Sequence, residues 1–246
     1  MASEQAQNKV AMVISAHADD AEFEGAGAAA LWASEGWDVY YVICTDGSGG
    51  GPDDAQDLSM AARQKVIETR MQEQRDACAA LGVKDVAFLG YPDGLLQPTL
   101  ELRRDIVRLL RLYRPSRVIC QSPERTWEPW LVVQRHHPDH LAAGRAAIEA
   151  IYPASQNPWD FPELFEQEHL HPHKVSEIYI TGAPAINFTL DISSVMDKKI
   201  EALRAHHSQL AQDFDQIEQL VRSWGAQTGK KIGVAYAEQF HRVEIQ

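Results

Sequence analysis

The segment "AHADDAEFEGAG" at residues 16–27 places a histidine and several carboxylates directly after an apolar run. His17 and Asp20 are three residues apart, so both side chains can reach one point if a helical turn begins there, and Asp19 then points to the side. Imidazole and carboxylate together suit zinc, and a cation offsets the repulsion between adjacent carboxylates. Acidic residues also stabilise the N-terminus of a helix. This segment alone leaves both interpretations open.

A second segment, "RHHPDH" at residues 135–140, offers the further ligand that a metal site needs. His137, Asp139 and His140 follow another predicted strand, as the first cluster does. A lone histidine is more often structural, whereas two such clusters at the ends of strands of one sheet favour a shared metal site. Asp139 can equally be the N-cap of a helix beginning "DHLAAG", and that structural role is compatible with a functional role at the site.

The glycines of the first segment also allow a nucleotide-binding interpretation. "GAGAAA" at residues 25–30 matches G-x-G-x-x-A, and Asp46 lies downstream at a suitable distance. In that motif the glycines follow the strand immediately, whereas here several acidic residues intervene and would repel a pyrophosphate. The pattern therefore favours close packing of a helix on the sheet over dinucleotide binding.

Alternating strands and helices position both clusters. Apolar runs and helical spacing predict the following elements: strands at 9–16, 37–45, 84–90, 116–122 and 176–182, and helices at 24–36, 60–81, 99–113, 140–151, 193–210 and 213–224. The alternation predicts an α/β fold, a Rossmann-like doubly wound, mostly parallel sheet with a C-terminal elaboration, in a single domain over 1–246. Ligands of such sheets bind beyond the carboxyl ends of the strands, where both clusters fall.

Composition limits the classes of partner. The chain has 246 residues and a formal net charge of -12, which argues against nucleic acid and against an anionic membrane surface. Its three cysteines are far apart in apolar contexts, which is typical of buried thiols in a reducing compartment. The N-terminal residues show no signal-peptide pattern and no apolar run reaches the length of a membrane span. We therefore expect a cytoplasmic protein.

The two clusters together resemble a known enzyme family. "AHADDAE" followed by "HHPDH" is similar to the LmbE-like, PIG-L-type deacetylases, zinc enzymes that remove the acetyl group from N-acetylglucosamine-containing molecules. The resemblance extends to three further segments: "TRMQEQRDACAALG" (69–82), "LGYPDG" (89–94) and "KIEALRAHHSQ" (199–209). In one departure, Ala18 replaces the proline of the family's H-P-D-D motif, which removes no ligand but frees the loop.

The resemblance implies a role for each residue of the clusters. One zinc ion per subunit, or another divalent metal, would be bound by His17, Asp20 and His140, leaving a fourth position for water. Asp19 would act as general base. His137 would stabilise the oxyanion and, when protonated, donate to the leaving amine, while Asp139 would orient His137.

Three further residues resemble substrate-binding positions of the family. We expect Arg70 to face the crevice, Asp93 to accept from a sugar hydroxyl and His206 to line the pocket. From the residues alone, Arg70 would form a surface ion pair with Glu73, Asp93 would be a turn residue and His206 a structural histidine. The partner would be a small N-acetylated amino sugar, such as a chitobiose-like disaccharide or a thiol-glycoside precursor, and the family suggests a homo-oligomer.

Two other functions use the same residues. Two histidines and a carboxylate also form the facial triad of non-haem iron enzymes. A non-catalytic metal- or sugar-binding module would keep the ligands but has no need for the carboxylate of Asp19. Aromatic residues in predicted loops could contact either a sugar or a second subunit: Trp127, Trp130 and Trp159.

Overall fold

Seven strands form one sheet within residues 9–125 and 136–245, which the computed structural model describes. The strands are β1 (Val10–Ser15), β2 (Asp38–Thr45), β3 (Asp85–Tyr91), β4 (Arg117–Gln121), β5 (Glu177–Thr181), β6 (Phe188–Asp191) and β7 (Ala237–Glu244). Their order in the sheet is β3-β2-β1-β4-β5-β7-β6. Strands β1 to β5 pair in parallel, β7 is antiparallel to β5, and β6 is antiparallel to β7. The mostly parallel α/β sheet with a C-terminal elaboration is thus confirmed.

Helices alternate with the parallel strands and then continue into the C-terminal part. They are α1 (Asp20–Glu24), α2 (Ala26–Ser34), α3 (Met60–Leu81), α4 (Leu100–Tyr113), α5 (Pro138–Glu149), α6 (Pro162–Glu166), α7 (Met196–Arg204), α8 (His207–Leu210) and α9 (Phe214–Lys230), with a π-helical turn at Ala150–Ala154 and a 3₁₀ turn at Ala211–Asp213. None of the helices in the described ranges is long and apolar enough to cross a bilayer.

The central strands are apolar on both faces because both faces are covered. Alternate residues of β1 point to opposite sides of the sheet: Ala11 and Val13 join one hydrophobic core, and Met12 and Ile14 join the other. Each of these side chains is at most 2% exposed. This two-sided burial explains why the sequence of a parallel strand is continuously apolar.

Capping side chains explain where the two long helices of the first half begin. The side chain of Ser59 accepts a hydrogen bond from the backbone N–H of Ala62 and caps α3. Thr99 does the same for α4 through the backbone N–H of Leu102. Each hydroxyl satisfies a donor that the helix cannot, an arrangement worth about 1 kcal/mol. The elements that frame the site are therefore fixed locally as well as by packing.

The structure differs from the predicted elements at three places. The helix predicted at 24–36 begins only at Ala26, as α2, and a separate helix, α1, precedes it; Gly25 lies between the two, where a Cβ would lie 3.3 Å from Ile119. The helix predicted at 193–210 ends at Arg204, and α8 begins at His207. The sequence pattern does not predict β6 and β7. These two strands pair antiparallel, and β6 has only 4 residues.

Candidate metal centre

The two polar clusters meet at the point in the sheet where the order of the strands reverses, between β1 and β4. Strands β1 and β4 are neighbours, but the chain continues from β1 towards one edge of the sheet and from β4 towards the other. A crevice opens at such a switch point, beyond the carboxyl ends of the two strands. His17 follows β1, whereas His140 lies in the first turn of α5, and their ring centroids are 5.2 Å apart.

The side chain of Asp20 joins the two histidines. Its Oδ1 atom is 3.1 Å from Nε2 of His140, and its Oδ2 atom is 3.2 Å from Nδ1 of His17. The same Oδ2 atom accepts from the backbone N–H of His17 at 2.8 Å and from the side-chain amide of Gln121 at 3.2 Å. The two contacts with histidine nitrogens, one through each oxygen, are close to the roughly 3.3 Å between ligand atoms of a tetrahedral zinc site with bonds near 2.0 Å.

The other nitrogen of His17 contacts two more carboxylates. Its Nε2 atom lies 3.1 Å from Oδ1 of Asp93 and 3.1 Å from Oδ2 of Asp139. A metal-ligating histidine commonly donates its second ring N–H to a carboxylate, which fixes the tautomer and the ring orientation. With Nε2–H donated in this way, Nδ1 faces Asp20 and would bind a metal after losing its proton.

The described residues offer two overlapping groups that could hold an ion. The ring nitrogens of one group lie within 4.8 Å of one another: His17, His137 and His140. The second group shares a histidine with the first: His17, Asp93 and Asp139. The donor set of imidazole nitrogen and carboxylate oxygen suits zinc and other divalent transition metals.

Asp139 has contacts different from those expected. Its carboxylate accepts from the backbone N–H groups of Gly94 at 2.7 Å and Leu96 at 3.1 Å, besides contacting His17. Asp139 is not an N-cap, since His137 caps α5. It contacts the ring of His137 through its backbone, because Nδ1 of His137 accepts from the N–H of Asp139 at 3.2 Å, and no hydrogen bond joins its carboxylate to His137 in the described residues. The carboxylate instead holds the turn after β3 and the ring of His17.

Asp19 lies beside the cluster in a backbone conformation that is rare for a non-glycine residue. Its φ is 83°, in the left-handed region, where strain costs about 1 to 3 kcal/mol. Burial raises the pKa of its carboxyl group to about 6, although the charge of Arg70 opposes the shift. A carboxylate with a raised pKa beside a metal site has the properties of a general base.

Arg70 contacts the segment that carries Ala18 and Asp19. Only 5% of the residue is exposed, and Nη2 donates to the carbonyl oxygen of Ala18 at 2.6 Å and lies 3.5 Å from Oδ2 of Asp19. The surface ion pair with Glu73 is therefore wrong, whereas a contact between Arg70 and substrate stays a prediction. Glu73 instead accepts from the backbone N–H and the hydroxyl of Ser208, at 2.6 and 2.7 Å.

The other two residues expected to contact the substrate, Asp93 and His206, differ in whether they lie at the site. Asp93 lies at the site: it contacts His17, and its Oδ2 accepts from the backbone N–H of Gly49 at 2.9 Å. His206 is fully buried, with Nε2 3.2 Å from Oε2 of Glu22, and so does not line an open pocket. Glu22 is also fully buried, which the sequence reasoning missed. A carboxylate within an alanine-rich helical segment was the only signal for it.

The carboxylates and histidines of the cluster shift each other's pKa values strongly. Burial lowers its pKa, but hydrogen bonds to Asp139, Asp20 and Asp93 outweigh burial and raise that pKa to about 12. Burial raises the pKa of Asp20, but His140 and His17 together hold that pKa far below its usual value. The cluster thus stabilises positive charge strongly, whether it is carried by a proton or by a metal ion.

Of the three tryptophans predicted to lie in loops, one belongs to the described residues. Trp127 and Trp130 lie outside the described residues. Trp159, in the segment before α6, is 86% exposed and so is free to contact a ligand or another subunit.

Comparison with a family model assigns the chain. The model described as "PIG-L: GlcNAc-PI de-N-acetylase" matches residues 12–151, more than half of the chain and both polar clusters. The chain belongs to the PIG-L family. The matched range runs from β1 through the start of the π-helical turn, so the family's core is the half-sheet that carries the candidate metal centre.

Relatives within the PIG-L family span almost the whole chain. Diacetylchitobiose deacetylase of Thermococcus kodakarensis is 33% identical over 233 residues, covering 94% of this chain and 81% of that protein. A probable N-acetyl-alpha-D-glucosaminyl L-malate deacetylase 2 of Bacillus cereus is 29% identical over 221 residues, covering 89% and 92%. Both names describe removal of acetyl groups by those proteins.

A solved PIG-L-type structure supports the fold. The structure of N,N'-diacetylchitobiose deacetylase from Pyrococcus horikoshii, in complex with its inhibitor MPG, superposes with a TM-score of 0.83 at 30% identity. The match covers 96% of this chain and 84% of that one, so it includes the C-terminal strands and helices.

Proposed function

We propose that this protein is a metal-dependent deacetylase that hydrolyses the N-acetyl amide of an N-acetylglucosamine-type sugar. The observation that carries the proposal is the convergence of His17, Asp20 and His140 at the switch point, with Asp19 beside them. Membership of the PIG-L family and the deacetylase names of the relatives support the same activity.

The residues fit a single divalent metal ion, for which zinc is our proposal. His17 through Nδ1, Asp20 through a carboxylate oxygen and His140 through Nε2 would hold it, with Asp93 and Asp139 fixing the ring of His17. When bound, such an ion supplies a Lewis acid that polarises the acetyl carbonyl and lowers the pKa of a nearby water to about 7. Three protein ligands leave room for that chemistry.

Asp19 is the proposed proton acceptor. Its carboxylate is partly exposed, and it takes a proton from the water that attacks the acetyl carbonyl. Because the carboxyl group then carries that proton, it can return it to the nitrogen of the leaving amine. One residue thus serves as base and then as acid, which its raised pKa favours.

His137 is better placed to stabilise negative charge than to supply a proton. Its Nδ1 accepts from the backbone N–H of Asp139, so the neutral ring carries its hydrogen on Nε2. Burial and then the charge of His17 lower the pKa of His137, which favours the same neutral form. A neutral ring can donate a hydrogen bond from Nε2 to the developing oxyanion. Proton donation by a protonated His137 would require the loss of the contact with Asp139.

Diacetylchitobiose is the first substrate to test. A relative with that activity in its name covers 94% of this chain, and a structure with that name covers 96%. A sugar–malate conjugate is the second, on the weaker similarity to the Bacillus cereus protein.

The test is release of free amine from a panel of substrates: N,N'-diacetylchitobiose, N-acetylglucosamine and N-acetyl-α-D-glucosaminyl L-malate. We expect release that a chelator abolishes and that zinc restores. Asp19→Asn should lower kcat by about 1,000-fold while the bound metal is retained. No release from any member of the panel would overturn the proposal. Oxygen-dependent turnover by an iron-loaded protein would assign the alternative iron chemistry.

A further inference from the structure

Asp19 reaches its unusual conformation through a buried polar chain that begins on α3. The backbone N–H of Asp19 donates to Oε1 of Gln74 at 3.1 Å. The amide nitrogen of Gln74 donates to Oε1 of Glu22 at 3.0 Å, and Oε2 of Glu22 lies 3.2 Å from Nε2 of His206. The last three side chains are all 0% exposed. In the described residues, no hydrogen bond or ion pair joins Gln74, Glu22 or His206 to the three proposed metal ligands, so metal binding does not explain them.

The N–H of Asp19 fixes the direction of this chain. A backbone N–H can only donate, so the side chain of Gln74 must turn its carbonyl oxygen towards Asp19. Its NH₂ group then faces Oε1 of Glu22, to which it donates. The other carboxylate oxygen of Glu22 contacts Nε2 of His206. A buried amide with both ends used in this way has one orientation only.

Gln74 and Arg70 act on the same loop from one face of a helix. They are four residues apart on α3, so their side chains project side by side. Arg70 binds the carbonyl oxygen of Ala18, and Gln74 binds the N–H of Asp19, so the two side chains hold adjacent backbone groups. The loop has alanine at residue 18 and no proline to stiffen it, which leaves its conformation dependent on these contacts.

We propose that Gln74 is a positioning residue for Asp19, and that Glu22 and His206 keep the amide of Gln74 in the orientation that holds Asp19 in its left-handed conformation. The proposal rests on the proposed function insofar as Asp19 is the base of that reaction. Without Gln74, the N–H of Asp19 loses a buried acceptor and the residue relaxes from positive φ. Its carboxylate then moves away from the attacking water.

Exchanging the two polar groups tests the orientation directly. Gln74→Glu sets two carboxylates against each other, and we expect kcat to fall by about 100-fold, the scale of a misplaced catalytic group. Gln74→Glu combined with Glu22→Gln restores one acceptor for Asp19, one donor between the pair and one acceptor for His206. The double variant should recover to within about fivefold of the wild type. Gln72→Glu, on the exposed face of α3, is the matched control and should leave kcat unchanged.

Further measurements separate positioning from general damage and from failure of the proposed function. In Gln74→Met, which keeps the volume and adds no charge, we expect lower kcat with KM and bound metal unchanged. Its crystal structure should show Asp19 outside the left-handed region. Wild-type kcat in Gln74→Met, retention of positive φ at Asp19, or a double variant no better than Gln74→Glu would overturn the proposal. If the wild type releases no amine, the crystal structure still decides whether Gln74 holds Asp19.

Discussion

Two buried polar clusters of this protein differ in how completely their charges are matched. Lys199 of α7 and Glu238 of β7 form a nearly closed set of contacts: their charged atoms are 2.6 Å apart, and Lys199 also donates to the carbonyl oxygen of Phe23 at 2.8 Å. Glu238 accepts the backbone N–H groups of Gly27 and Ala28, each at 2.9 Å. Positive and negative charges are equal, and the N-terminus of α2 is capped.

The metal centre lacks this balance. Four carboxylates surround it: Asp19, Asp20, Asp93 and Asp139. Among the described residues, Arg70 is the arginine or lysine that pairs with one of them, Asp19. Histidines supply the other contacts. The pKa of His17 is raised to about 12 because hydrogen bonds to carboxylates stabilise its protonated ring. In a matched cluster the loss of one partner leaves a buried charge uncompensated, whereas an unmatched cluster is suited to binding a cation. The comparison therefore separates a structural cluster from a functional one by charge.

Removing a ligand should have the largest effect on activity. Asp20 contacts both proposed histidine ligands, so Asp20→Ala should abolish stoichiometric metal binding and lower kcat/KM by at least about 1,000-fold. Elemental analysis of the purified variant and amine release measure the two effects. His207→Ala removes an exposed histidine next to α7 and serves as control. Full metal occupancy in Asp20→Ala would show that the ligands lie elsewhere.

His137 should contribute less, because it stabilises charge without holding the ion. His137→Ala should lower kcat by about 100-fold with metal content unchanged, the usual effect of losing one oxyanion donor. His137→Gln returns a neutral N–H donor and should recover part of the loss. If the glutamine variant were as inactive as the alanine variant while still binding metal, the neutral-donor role would be contradicted.

The matched cluster should respond in stability instead of activity. Lys199→Met leaves Glu238 buried without its cation, which we expect to lower the free energy of unfolding by about 3 kcal/mol. Denaturant unfolding measures the loss, and kcat of the folded variant should stay within about twofold of the wild type. A large loss of kcat at full folding would show that the two clusters are coupled.

Close packing beside the matched cluster should have the smallest effect. A Cβ at Gly27 would lie 2.7 Å from Cδ1 of Ile192 and 2.8 Å from Oε1 of Glu238. Gly27→Ala should therefore lower the free energy of unfolding by about 1 to 3 kcal/mol, with kcat unchanged. Unchanged stability would mean that β7 and α2 can separate at little cost.

The sequence could bring the two polar clusters of the candidate metal centre together because their residues follow strands whose ends must meet. The apolar runs before His17 and before the "RHHPDH" segment predict parallel strands, and parallel strands bring their carboxyl ends to one edge. The sheet order then joins residues more than a hundred positions apart. This inference needs only local patterns and one topological rule.

The buried polar supports could not be found in the same way. Arg70 and Gln74 lie on α3 and His206 lies between α7 and α8, each among other polar residues, and the sequence gives no sign of the polar partners that they meet. Their burial depends on which polar partner the fold brings opposite each one. Glu238 of β7 shows the same difficulty, because its burial depends on Lys199 and on the N-terminus of α2, which the fold brings opposite it.

Titration of zinc into the metal-free protein tests the central claim most directly, with amine release from N,N'-diacetylchitobiose as the readout. The unmatched charges of the metal centre predict no activity without metal and a linear rise to a plateau at one equivalent per chain, with no rise in Asp20→Ala. Full activity of the metal-free protein, or an equal rise in Asp20→Ala, would contradict the assignment of this cluster as the catalytic metal site.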